Sequence, residues 1–174
     1  NADPHELIDT VRGSTQRLRP NSTNAESTVS TDGFVSFDAD GFSLDGAGGG
    51  GQVNGSGRTY VAWGWDAGNG SPVSNTDGSI TSTVKANPAT GFSVVSYTGA
   101  GATGTVGHSL SSAPELYIIK NRSNAADWNV YTTVIDGSLD FLNLNSTNSA
   151  LNSSISSPTS STFGVTSATT VGAS

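Results

Sequence analysis

The sequence contains no cysteine and no methionine in 174 residues. Without cysteine the chain has no disulfide framework, no thiolate nucleophile and no cysteine-based zinc site. This absence is compatible with an extracellular location, but stability there has to come from packing, ions or assembly. Because the chain begins with Asn1, we expect a processed product or a piece of a longer chain.

Positive charge and long apolar runs are also scarce. Seven lysines and arginines stand against 14 acidic residues, which gives a formal net charge of −7. A nucleic-acid-binding protein needs a basic surface to displace counterions, so we expect no nucleic-acid partner. No run approaches the roughly 18 consecutive apolar residues of a membrane span, so we expect no membrane insertion.

The abundant residues are those of strands and turns: serine, threonine, asparagine and 22 glycines. No window shows a sustained 3.6-residue apolar period, whereas short alternating runs are bounded by Gly, Asn, Asp and Pro. The sequence therefore predicts an all-β fold, an antiparallel β-sandwich of jelly-roll type. The predicted strands are residues 7–11, 34–38, 41–45, 58–65, 80–86, 92–98, 115–121, 128–135, 139–145 and 162–165.

The sequence also contains a weak internal repeat with an offset near 124 residues. Residues 21–24 and 145–148 both read NSTN, and three further short matches are collinear with this one. The repeat predicts that residues 1–66 are the later part of one β module and residues 79–174 the earlier part of a second, similar module. Residues 67–78 would form the junction. Incomplete modules leave strand edges unpaired, which favours pairing with another chain.

Two strings, GHSLSSAPELYIIKNR at 107–122 and SGRTYVAWGW at 56–65, resemble a domain of unknown function that recurs in marine phage structural proteins. Those proteins are similar to tail fibres and often carry concanavalin-like lectin domains nearby. The resemblance covers nearly the whole chain, with the later part of the domain first. It implies a virion-surface role and a jelly-roll-like fold, but no catalytic or ligand-binding residue. A complete module would continue after Gly172 into a strand like 60–65, so we expect completion by a neighbouring subunit.

Catalytic chemistry finds little support in the residue pattern. The two histidines are His5 and His108, and a serine triad needs a histidine oriented by a carboxylate beside a serine. His108 lies in a glycine-rich stretch and is interpreted as a turn or strand-end residue. Most acidic residues stand in turn dipeptides rather than as a carboxylate pair facing across a sugar. We therefore expect that the protein is not an enzyme.

Asp38, Asp40 and Asp45 are candidate calcium ligands, because carboxylates two residues apart in a turn suit this ion. The alternative is that they serve only the turn, and no cofactor other than calcium is predicted.

Trp63, Trp65 and Trp128 are candidate glycan contacts, because tryptophan rings stack on sugars. The alternative is that these rings supply the core of a glycine-rich chain. Trp63 and Trp65 share one strand face, so they are expected to be exposed together or buried together.

Leu7, Ile8 and Val11 are the candidate residues of a donated strand. In this hypothesis the segment around 7–11 inserts into the sheet of the next subunit, as in β-augmentation.

Three functions stay open at this point. The first is a structural protein of a phage virion surface, a fibre or decoration element that assembles with itself and contacts the host. The second is a bacterial extracellular filament subunit assembled by strand donation. The third is a carbohydrate-binding module that recognises a host surface glycan. All three place the protein outside the cell, on a virion or in a cell-surface filament.

Overall fold

The computed structural model describes residues 4–29, 33–45 and 53–167, and over these ranges the chain contains fourteen β-strands and no helix. The predicted all-β class is therefore confirmed. Every pairing between strands is antiparallel, which is consistent with the predicted β-sandwich. The strands are β1 (Leu7–Asp9), β2 (Gly13–Leu18), β3 (Ser27–Thr28), β4 (Phe34–Phe37), β5 (Phe42–Leu44), β6 (Val73–Asn75), β7 (Ser82–Asn87), β8 (Phe92–Tyr97), β9 (Gly104–Gly107), β10 (Leu116–Lys120), β11 (Trp128–Thr132), β12 (Asp140–Asn143), β13 (Leu151–Asn152) and β14 (Thr162–Val165).

These strands form five hydrogen-bonded groups in the described part of the chain. The largest is a four-stranded sheet in the order β10-β11-β12-β13, and two three-stranded sheets have the orders β1-β2-β3 and β6-β7-β8. The pairs β4-β5 and β14-β9 complete the set. A parallel bridge between Ile80 and Val106, supported by a 3.0 Å bond from Ile80 N to Thr105 O, ties the start of the β6-β7-β8 region to β9.

Nine of the ten predicted strands overlap an observed strand. The exception is 58–65, which has no regular secondary structure, so that strand prediction is wrong. The alternation of side chains is present there, but none of the described strands pairs with the segment. Five observed strands are missing from the prediction. Strands β3 and β13 have only two residues each, and the serines, threonines and glycines of β2, β6 and β9 carry no apolar period.

The core is a single cluster that lies between the four-stranded sheet and the elements around β7, β9 and β14. Its aromatic centre is Tyr117, whose ring lies 4.8 Å from that of Tyr131 and 5.2 Å from that of Phe163. None of the described residues in 33–45 and 53–66 belongs to this cluster. Its buried members are Ile80, Val106, Ile119, Tyr131, Leu139, Phe163 and Val165.

The N-terminal sheet is attached to this body by a carboxylate held between two arginines. Glu26 accepts hydrogen bonds from Arg122 at 2.7 and 2.9 Å and from Arg12 at 2.9 Å. The backbone repeats the connection, because Glu26 N donates to Arg122 O at 2.9 Å. Although burial alone would raise it, the hydrogen bonds from Arg122 and Arg12 hold the pKa of Glu26 below its usual range.

Replacing Glu26 by glutamine is expected to lower the free energy of unfolding at pH 7 by about 1–3 kcal/mol, because two arginines lose an ionised acceptor. A carboxylate with a lowered pKa stabilises the fold above its unfolded pKa and loses this effect as the pH falls through the folded value. The difference between Glu26→Gln and wild type should therefore shrink on acidification, as measured by urea denaturation at pH 7 and pH 4.

The matched control is Glu115→Gln, which makes the same substitution at an exposed side chain. Its free energy of unfolding should stay within about 0.5 kcal/mol of wild type at both pH values. Equal losses in the two variants would contradict a specific role for Glu26.

Candidate assembly surface

The most exposed aromatic side chains lie on residues 60–65, here called the aromatic segment. Val61, Trp63 and Trp65 are 69%, 73% and 63% exposed. Their spacing of two residues would place them on one face if the segment adopted a strand conformation. Within the described ranges, the backbone of residues 61–65 makes no hydrogen bond to any other part of the chain. The aromatic segment therefore resembles a strand that has no partner strand.

The C-terminal end of the aromatic segment is fixed to the turn between β7 and β8. The ring of Trp65 stacks on that of Phe92 with centroids 6.0 Å apart and planes 18° from parallel. Next to it, Asp66 accepts a 2.9 Å hydrogen bond from the Asn87 side chain, and its carbonyl accepts a 3.0 Å bond from the Thr90 hydroxyl. This attachment sets the position of the segment while leaving Trp63 exposed.

A second apolar surface follows strand β10, the edge of the four-stranded sheet. Leu116 and Ile118 are 57% and 48% exposed, whereas Tyr117 and Ile119 face the core. Ile118 continues across the sheet in register with Val130. The strand is apolar on both faces, a pattern more typical of strands covered on both sides. Sequence reasoning predicted this strand but missed its exposed face.

The β4-β5 hairpin adds further exposed apolar side chains. The ring of Phe34 lies 4.8 Å from that of Phe37 and 5.8 Å from that of Phe42. Phe37, Phe42 and the neighbouring Val35 are nevertheless exposed. Two-stranded hairpins are marginally stable by themselves, so this element would gain from a covering partner.

The three tryptophans that are candidate glycan contacts fall into two groups. Trp63 and Trp65 are exposed together. Trp128 is only 3% exposed, and its indole N–H donates to the carbonyls of Arg19 and Ser22 at 3.1 Å. Of the two roles open to it, Trp128 therefore serves packing, and only Trp63 and Trp65 are placed to meet a sugar.

The candidate calcium ligands serve the turn between β4 and β5. Asp38 accepts hydrogen bonds from the hydroxyls of Ser43 and Ser36 at 2.6 and 2.7 Å, and these bonds lower its pKa. Asp45 accepts a 3.0 Å bond from Gly33 N across the hairpin. In the described residues no three acidic or histidine side chains come together as metal ligands, so Asp38, Asp40 and Asp45 are not brought into one site.

The candidate donated strand already has a partner in its own chain. Leu7 and Ile8 belong to β1, which pairs with β2. The carbonyl of Leu7 accepts a 3.1 Å hydrogen bond from the Arg12 guanidinium, and Val11 N donates to Asp9 in the following turn at 3.0 Å. Donation of this segment to another subunit would require it to leave these bonds first.

His108 is buried and bonded to the backbone through both ring nitrogens. Nε2 donates to the carbonyl of Thr159 at 3.2 Å, and Nδ1 accepts from Leu110 N at 3.0 Å; this assigns the proton to Nε2. Burial lowers the pKa of His108, against the opposing effects of the Thr159 carbonyl and the Asp77 carboxylate. The neutral imidazole therefore holds together the two loops that flank it.

A histidine with a lowered pKa stabilises the fold fully above its unfolded pKa and loses this effect as the pH falls. Wild type is therefore expected to lose more unfolding free energy between pH 7 and pH 5 than His108→Gln does. At pH 7 the variant should be about 1–3 kcal/mol less stable. His5→Gln, at an exposed position, is the control and should stay within about 0.5 kcal/mol of wild type at pH 7. Identical pH slopes for His108→Gln and wild type in urea titrations would contradict this role.

Fold and surface define an all-β domain that has exposed aromatic side chains on residues 60–65 and an exposed sheet edge at β10. A family model described as a domain of unknown function (DUF7483) matches residues 1–174, and the chain belongs to this family. The sequence-based recognition of a domain of unknown function is confirmed to that extent. Neither a curated protein nor a solved structure matches the chain. None of the described residues form a helix able to cross a membrane.

Proposed function

We propose that this protein is a structural element of a phage virion surface, a fibre or decoration component, which works by assembling with copies of itself. The observation that carries the proposal is the set of exposed apolar side chains on three elements: the aromatic segment, β10 and the β4-β5 hairpin. Large exposed apolar patches mark interaction sites in soluble proteins, and aromatic residues dominate the binding energy of interfaces.

The virion setting rests on the resemblance of the strings at 56–65 and 107–122 to phage structural proteins. The chemistry of the chain fits an extracellular location, because a cysteine-free domain there depends on packing and assembly for its stability. The net charge of −7 gives little attraction for nucleic acids or anionic membranes. No catalytic role is proposed, and the hydrogen bonds of His108 are those of a structural residue.

A carbohydrate-binding module is the second candidate, and the exposure of Trp63 and Trp65 favours it. Side chains two residues apart on an extended chain are about 7 Å from each other, a spacing that suits adjacent sugar rings. In this version the ligand is a host surface glycan. The bacterial filament with a donated 7–11 strand gains less support, because Leu7 and Ile8 are paired within their own sheet.

Self-association is expected to depend on Trp63. The wild-type chain should show a mass that rises with concentration in sedimentation equilibrium, and Trp63→Ser should weaken the association about tenfold or more. The side chain is exposed and makes no ring contact in the described structure, so the fold should survive, as circular dichroism would show. Val73→Ser, an exposed apolar residue on β6, is the control and should associate like wild type.

A glycan array separates the two candidates. A wild-type chain that stays monomeric at high concentration but binds a defined glycan, with loss of binding in Trp63→Ser, would replace the assembly proposal by the carbohydrate-binding one. Concentration-dependent assembly without glycan binding would support the structural role. A chain that does neither would contradict both.

A further inference from the structure

We infer that the aromatic segment of one copy docks as an added β-strand along the free edge of β10 in a second copy. This inference rests on the proposed self-assembly and specifies its partner and geometry. It also replaces the donor expected from the sequence. Residues 7–9 of that segment are paired in their own sheet, whereas the side chains of residues 61–65 are exposed and their backbone makes no hydrogen bond within the described chain.

Both the backbone and the side chains of the aromatic segment, the donor strand in this contact, suit pairing with another sheet. The backbone groups of residues 61–65 are free to form a ladder, because no hydrogen bond within the described chain uses them. The side chains of Val61, Trp63 and Trp65 follow the period of two that a strand presents to one face of a sheet. Backbone bonds and alternate apolar anchors are the two components of β-augmentation.

The acceptor strand matches this donor. In the described structure β10 pairs with β11 on one side only, and the backbone groups on its other side have no further partner. Leu116 and Ile118 lie two residues apart on the exposed face. An added strand at this edge would place Trp63 beside Ile118 and extend the apolar row that Ile118 begins with Val130.

Three of the other sheet edges, those of β1, β13 and β8, are less suitable. The edge of β1 is short, and the Arg12 guanidinium occupies the Leu7 carbonyl. Strand β13 has only two residues. Strand β8 is longer, but its side chains are all half-buried, so its edge presents no exposed apolar anchor. Short strands and charged cover are the features that keep edges from pairing, and β10 has neither along its centre.

The area available is sufficient for a specific contact. With about 150–250 Å² per aromatic side chain, the exposed fractions of Trp63 and Trp65 leave roughly 300 Å² to bury. Val61 on the same face and Tyr60 on the opposite face raise the donor side to about 500 Å² if both faces of the added strand are covered. Equal burial on the second copy brings the total to about 1,000 Å², near the lower bound for specific interfaces. A second copy therefore supplies enough surface, while a single sugar ring would cover only part of it.

Donor and acceptor are different surfaces of the same molecule, so the contact is heterologous. After docking, the first copy still presents its own β10 and the second still presents its own aromatic segment. A heterologous contact that does not close into a ring continues as an open chain. The expected products are therefore head-to-tail oligomers larger than a dimer, as a fibre requires.

Cross-linking between two single-cysteine variants tests this geometry, because the natural chain has no cysteine to interfere. If Trp63 lies opposite Ile118, then Val61 lies diagonal to Ile118 at about 7–8 Å in either strand direction. An equimolar mixture of Val61→Cys and Ile118→Cys, treated with a short bis-maleimide, should give a covalent heterodimer in at least tenfold excess over either variant alone. Both positions are exposed, and circular dichroism would confirm that each variant folds.

The matched control mixes Val61→Cys with Ser157→Cys, an exposed position outside β10, and should give only background product. Homodimers of Val61→Cys alone would indicate a symmetric contact and overturn the inference. The same holds if wild type assembles but the Val61→Cys and Ile118→Cys mixture gives no more product than the control, in which case the proposed function stands. Wild type that is monomeric throughout would remove the proposed function itself.

Discussion

The stack of aromatic rings around Tyr117 is the interaction on which the rest of the structure depends. Tyr117 lies between Tyr131 of the four-stranded sheet and Phe163 of β14, and Phe163 also meets Tyr97 of β8 at 6.2 Å. Burial raises the pKa of Tyr117 and Tyr97 far above the usual range. Three separate sheets are thus joined through the rings of four aromatic residues.

Many apolar side chains nevertheless lie outside this aromatic cluster. Only a third of the residues are hydrophobic and 7% are aromatic, and the cluster from Ile80 to Val165 holds seven of the eleven buried hydrophobic residues in the described part of the chain. The aromatic segment and the β4-β5 hairpin do not reach this cluster, so their side chains face solvent. Exposed Trp63 and Phe42 are costly in water, and a partner that covers them would recover that free energy.

The sequence was sufficient for the fold class and most strand positions, because alternation of apolar residues is a local property. It was insufficient for β9, which contains Gly104 and Gly107. A Cβ at Gly107 would lie 1.8 Å from Asn75 Oδ1, and one at Gly104 would lie 3.0 Å or less from the side chains of Ser79 and Ile80. These glycines let neighbouring elements approach β9 closely, and such an approach leaves no local pattern in the sequence.

At the candidate site too, the local sequence pattern could be predicted, whereas the contacts between distant parts of the chain could not. Alternation at Val61, Trp63 and Trp65 was readable, but whether a partner strand lies beside them depends on the whole topology. The sequence likewise placed Trp128 among possible sugar contacts, since its burial is set by the carbonyls of Arg19 and Ser22 more than 100 residues away in the chain. Contacts between residues far apart in the sequence determine which side chains are exposed, and only exposed side chains can contact a partner.

The predicted division into a later module part at 1–66 and an earlier one at 79–174 stays a prediction, but it gives the head-to-tail contact a structural meaning. The aromatic segment belongs to the later part, and both β10 and the core belong to the earlier part. Docking of one copy on the next would place a later part against an earlier part of a different molecule. Each sandwich would then be completed between two copies, and strength along a fibre would come from sheet hydrogen bonds shared by successive subunits.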